Sequence, residues 1–150
     1  MKKAVRGLKI TGIVLLCLPF ALLVLFILWE FFCAAVNNIS GILHTQSVMN
    51  GYSNSADIEV LDNVTFVGNT SGTGNHTEVR STVLVKAANR SDLEYRTNGD
   101  NYQITSLTEE IPEYKLGRWN RELEMPYESD GCYVVEVYGD VPFPDSIIGH

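Results

Sequence analysis

The chain has 150 residues, a formal net charge of −7 and 45% hydrophobic residues. That length leaves room for one modest folded unit. The acidic balance excludes a nucleic-acid-binding surface, which needs cations against phosphates. Its three cysteines are Cys17, Cys33 and Cys132. Only Cys132 falls in the polar part, which excludes an internal disulfide framework and a Cys-x-x-Cys zinc site there.

Residues 1–9 form a basic tail with Lys2, Lys3, Arg6 and Lys9. Ile10 to Leu28 then reads ITGIVLLCLPFALLVLFIL, without a charge, and Trp29 follows. That run suits a bilayer core of ~30 Å at helical rise, so residues 10–32 are expected to be a transmembrane helix in contact with lipid. Pro19 is tolerated in such a helix, and Trp29 fits the interfacial aromatic belt. No Lys or Arg occurs between Lys9 and Arg80. The positive-inside rule therefore places the N-terminus in the cytoplasm and the rest outside. A cleaved signal peptide is the rival reading, with Cys33-Ala34-Ala35 as a cleavage site. The apolar run is long for that role.

Residues 37–56, NNISGILHTQSVMNGYSNSA, are uncharged and rich in Asn, Ser and Gly. They are expected to be a linker, with a short helical stretch around Ile42 to Met49. The folded domain is then 57–150, and it should fold by itself from Asp57 onward. Asp57 to Val67 alternates as a strand, with Ile58, Val60, Val64 and Phe66 sharing a face that Asp62 interrupts. Gly68 to Thr77 is a loop by composition. Glu78 to Ala87 alternates more cleanly, with Val79, Ser81, Val83, Val85 and Ala87 on one face. Glu78, Arg80, Thr82 and Lys86 lie on the other, with Leu84 the exception.

Ser91-Asp92-Leu93-Glu94 has capping-box spacing, so a short helix is predicted to start at Ser91 and end at Asn98-Gly99. Tyr102 to Leu107 is a third strand, and Glu109 to Asn120 is ambiguous. Asp130-Gly131 is a hairpin turn between strands at Arg121–Glu128 and Cys132–Tyr138. The order β-β-α-β-β-β gives an α+β fold, with a mostly antiparallel sheet and a helix on one face.

The stretch GTGNHTEVRSTVLVK from Gly72 to Lys86, the acidic capped helix, the late strand CYVVEVYG and the end IIGH resemble a family of uncharacterised small single-pass membrane proteins of gut Firmicutes. Those carry a GNGNH-like loop, a strand ending in lysine, a helix and a Gly-His near the C-terminus. The resemblance covers about half of the chain. It implies the fold and a bacterial cell envelope, and carries no activity.

Motifs for chemistry are sparse. Gly68, Gly72 and Gly74 lack the Gly-Lys-Ser/Thr ending of a phosphate loop. His44, His76 and His150 share no metal-ligand spacing, and no cofactor or metal is expected. No nucleophile elbow occurs, and the acidic stretches at Glu109-Glu110 and Glu122–Glu128 read as solvated charge. Asn-x-Ser/Thr sites at Asn38, Asn63, Asn69, Asn75 and Asn89 keep open a eukaryotic or viral glycoprotein. The expectation is a membrane-anchored, non-enzymatic extracytoplasmic binding or accessory domain, its partner an unknown protein or envelope component. Asn69, Asn75 and His76 are its candidate partner-binding residues. The rival is a small extracytoplasmic enzyme using His76.

Overall fold

The computed structural model describes residues 2–68 (backbone alone for 2–11 and 13), 77–94, 101–108, 123, 124, 126 and 128–143. Its architecture is α+β, as expected. One long helix is followed by a small antiparallel sheet and a short helix.

Helix α1 runs unbroken from Lys2 to Ser53. Its first half is apolar and long enough to cross a membrane. Pro19 lies inside it, costing one backbone hydrogen bond that a membrane helix tolerates. The second half corrects the expectation of a linker over 37–56. This stretch is helical to Ser53 and lies on the sheet. Glu30, Cys33, Asn37, Gly41, Thr45 and Tyr52 are all buried, and their spacing of three, four or seven residues marks one helix face. The composition suggests a tether because that face is small and polar rather than leucine-rich.

The sheet contains β1 (Ile58–Gly68), β2 (Glu78–Ala87), β3 (Asn101–Ser106) and β4 (Cys132–Asp140). Their order is β1-β2-β4-β3, with all neighbours antiparallel. A bulge separates the register pairs Val60↔Val85 and Asp62↔Leu84, so Leu61 is the extra residue. A bulge exchanges the two faces of a strand beyond it. Ile58 and Val60 therefore face α1, whereas Val64 packs with Leu84, Leu123 and Val134 on the opposite side. The single apolar face expected for Ile58, Val60, Val64 and Phe66 is thus split in two. The interruption at Asp62 marks where the switch occurs.

The main core lies between α1 and the sheet. It joins Tyr52, Ile58, Val83, Val85, Ala87, Ile104, Val135 and Val137, with Val48, Met49 and Val60 packed against them. The alternation of β2 holds, but its second face is not open to solvent. Arg80, Thr82 and Leu84 are buried there, because β2 is an inner strand whose second face also carries the Leu123 cluster.

The short helix α2 spans Arg90–Glu94. Asn89 caps it, its carbonyl accepting from Asp92 N–H at 3.3 Å. Ser91 is therefore within the helix rather than its cap. Leu93, fully buried, ties α2 to the main core. Gly131 has φ +70° in the turn before β4, where Cys132 N–H reaches Ser129 O at 3.2 Å. Asn98-Gly99, Glu109–Asn120 and most of the strand expected at Arg121–Glu128 lie outside the described residues. Leu123, Glu124, Pro126 and Glu128 are described and are not in a strand.

Two helix glycines test how α1 is seated. A Cβ on Gly41 would overlap Val67 Cγ2 and lie 3.1 Å from Thr65 Cγ2, whereas one on Gly51 would meet nothing within 4 Å. Glycine costs a helix about 1 kcal/mol relative to alanine. Gly51→Ala is expected to raise stability by about 0.5–1 kcal/mol. Gly41→Ala is expected to lower it by about 1–3 kcal/mol, because overpacking outweighs the propensity gain. Thermal melts of the two variants check this. A stabilised Gly41→Ala protein would mean that α1 does not lie this close to β1.

Candidate functional site

Around Thr45, below the main core, α1 meets β1 and β2 through hydroxyls. Thr45 Oγ1 donates to Gly41 O at 3.1 Å and accepts from Thr65 Oγ1 at 2.6 Å. It also lies 2.8 Å from Ser81 Oγ, which is itself 2.7 Å from His44 Nδ1. Proton counting orders this chain. Thr45 has one proton, committed to Gly41 O, so Ser81 donates to Thr45. Ser81 then accepts from His44, which places the imidazole proton on Nδ1. A Cβ on Gly139 would be 2.6 Å from His44 Nε2, so β4 closes over the ring.

A serine bonded to a histidine invites comparison with a hydrolytic pair. The geometry argues against it here. Ser81 is fully buried, its proton is turned toward Thr45, and His44 donates rather than accepts. The pair joins α1 to β2.

Two turns nearer the apolar half, Asn37 grips the chain that follows β4. Its Nδ2 donates to Phe143 O at 2.8 Å, and its Oδ1 accepts from Phe143 N–H at 3.1 Å. The Phe143 ring meets Trp29 at 5.8 Å and Phe32 at 5.9 Å between centroids, both edge-on. These separations suit the quadrupole attraction of aromatic pairs.

The outer face of α1 is apolar well beyond Trp29. Phe31, Phe32, Ile39, Ile42 and Leu43 are each at least half exposed. Gln46, Ser47 and Asn50 take over that face above Leu43, also exposed. Between residues 37 and 45 the usual amphipathic order is thus inverted, with polar side chains against the sheet and apolar ones outside.

On the opposite side of the sheet, Arg80 Nε lies 3.7 Å from Glu136 Oε1, with the two side chains 9% and 1% exposed. The guanidinium also stands over the Phe66 ring at 5.2 Å, a cation–π distance. Asp62 Oδ2 accepts from Glu124 N–H at 2.9 Å. At the far end of the sheet, an open cleft of about 530 Å³ is lined by Asp57, Glu59, Lys86 and Asp130 among others. No group of three His, Cys, Asp or Glu side chains among the described residues is placed to hold a metal.

Asn69, Asn75 and His76, the partner-binding residues expected from sequence, lie outside the described residues. The strand ends that carry them are described. Gly68 and Glu78 pair directly, and β1 runs antiparallel to α1, from Ile58 beside Tyr52 to Val67 beside Gly41. Those ends therefore point toward the apolar half of α1. Asn37, His44, Thr45, Ser81 and Phe143 are absent from the sequence-based site. A signal was available in Asn37, Gly41 and Thr45, small or polar residues at steps of four beside the apolar Ile39, Ile42 and Leu43. Comparison with protein-family models, curated proteins and solved structures matches none of them to this chain.

Proposed function

We propose that the protein is a non-enzymatic, single-pass membrane subunit, with its N-terminus cytoplasmic and its α+β head outside a bacterial cell. Its role is to dock, through the outer face of α1, on a membrane-spanning helix of a partner. The observation that carries this reading is the apolar stripe Phe31–Ile39–Leu43 on a helix that continues unbroken onto the head. From Ile10 to Leu43 the helix is roughly 50 Å long, against a hydrocarbon core of ~30 Å. The stripe outlasts the bilayer by several turns, and exposed apolar surface of that extent marks an interaction site. The buried position of Cys33 within an unbroken helix supports an uncleaved anchor over a signal peptide. The basic tail supports the orientation, and the family resemblance supports the bacterial envelope.

A photo-crosslinking residue at Leu43, in the full chain in native membranes, tests the reading. It is expected to give a protein adduct, and the same residue at Asn50 none. Ile39→Asn should abolish the adduct while leaving the melting temperature unchanged, because Ile39 is 58% exposed. Adducts with lipid alone, or an Ile39→Asn protein that crosslinks as before, would reject docking through this face.

A further inference from the structure

The segment after β4, Val141-Pro142-Phe143, is apolar, lies at the end of the sheet nearest the apolar half of α1, and turns back onto that helix. Asn37 holds its backbone in two hydrogen bonds of 2.8 and 3.1 Å. Asn37 is about 12 Å above Trp29 along the helix, yet the Phe143 ring packs against both Trp29 and Phe32. The side chain therefore points down α1 toward the apolar half. Its neighbours are not sealed by this contact, since Trp29 remains 55% and Phe32 52% exposed. The result is a patch of two exposed rings with the half-buried Phe143 packed edge-on against both, at the height where an apolar run of this length leaves the hydrocarbon.

We infer that Phe143 is a second membrane anchor, which seats the foot of the head in the lipid interface beside Trp29. Aromatic side chains concentrate at that depth because one end is apolar and the surroundings are half wet. α1 fixes the head to the helix through their shared core, and the Phe143 foot adds a second attachment that sets the tilt of both against the bilayer. The partner is the lipid interface itself and not an anionic headgroup. Seventeen of the eighteen acidic residues and seven of the eleven basic ones lie beyond Ala56, so the head has an excess of ten negative charges. An anionic surface would repel it, and a zwitterionic lipid suits the contact. The inference rests on the reading that residues 10–32 span the membrane.

The test uses the full chain in phosphatidylcholine vesicles brominated high on the acyl chains. The first protein carries Trp119→Phe and retains Trp29 as its single tryptophan. The second carries Trp29→Phe, Trp119→Phe and Phe143→Trp. The single indole of each protein is expected to be quenched by the bromines, to within about two-fold of the other, and shielded from aqueous acrylamide. In a third protein, Asn37→Ala added to the second should weaken lipid quenching and admit acrylamide. Quenching of Trp29 in the first protein, with the indole of the second open to acrylamide, would overturn the foot while leaving the span intact. Trp29 itself unquenched would overturn the span and the foot with it. A complementary measurement needs no new tryptophan. Phe143→Ser in the first protein should increase acrylamide access to Trp29, and unchanged access would also count against the foot.

Discussion

A fragment that begins at Asp57 is expected to aggregate or remain largely unfolded, whereas one that begins at Asn37 is expected to melt cooperatively. The pattern of strands places every sheet residue after Ala56, which predicts an autonomous domain from Asp57. The packing reverses that expectation. Tyr52 is 2% exposed, and Val83, Val85, Val135 and Val137 are no more than 1% exposed, in one core beneath α1. Each such side chain contributes about 1.5–3 kcal/mol when fully buried. A whole domain retains only about 5–15 kcal/mol. Removing residues 37–56 uncovers this apolar face, so the loss is comparable with the total stability. Far-UV circular dichroism and size-exclusion chromatography of the two fragments decide the matter. A monomeric Asp57 fragment with the same cooperative melt as the longer one would show that α1 contributes nothing to the head.

Glu136→Ala in the full chain is expected to cost about 3–5 kcal/mol, lowering the melting temperature by more than ~10 °C for a head of this size. Glu136 is 1% exposed and lies opposite Thr82 on β4, diagonal to Arg80. Its removal leaves the Arg80 guanidinium buried against Phe66 without the carboxylate beside it. The loss comes from taking the carboxylate away from a buried charge and not from the net worth of the pair, since desolvation offsets most of the attraction. Replacing both partners, as Arg80→Met with Glu136→Leu, is therefore expected to recover most of the stability. Chemical denaturation of the two single variants and the double variant gives the coupling. Losses that simply add would mean that the two side chains do not share a buried site.

Elements written in one local signal are legible from the order of residues alone. The apolar run from Ile10 to Leu28 needs only length and the absence of charge. The alternation of Glu78–Ala87 specifies a strand, and its register against both neighbours respects the faces read from it. Asp130-Gly131 specifies a turn, because a positive φ is cheap for glycine. What eluded the sequence depends on partners distant along the chain. Residues 37–53 have the composition of a tether. They become an ordered helix because Thr65, Ser81 and Phe143, brought from three other places, satisfy Thr45, His44 and Asn37. The bulge at Leu61 exchanges the faces of β1 without a glycine or proline to announce it, since only pairing with β2 reveals the extra residue. Arg80 and Thr82 lie on the polar face of β2, yet both are buried. Their burial follows from the place of β2 inside the sheet and from Leu123 across the second face, which no periodicity along β2 encodes. The short helix starts at Arg90 rather than Ser91 for the same reason. Leu93 must reach the core, and Asn89 is the residue this placement leaves in the capping position.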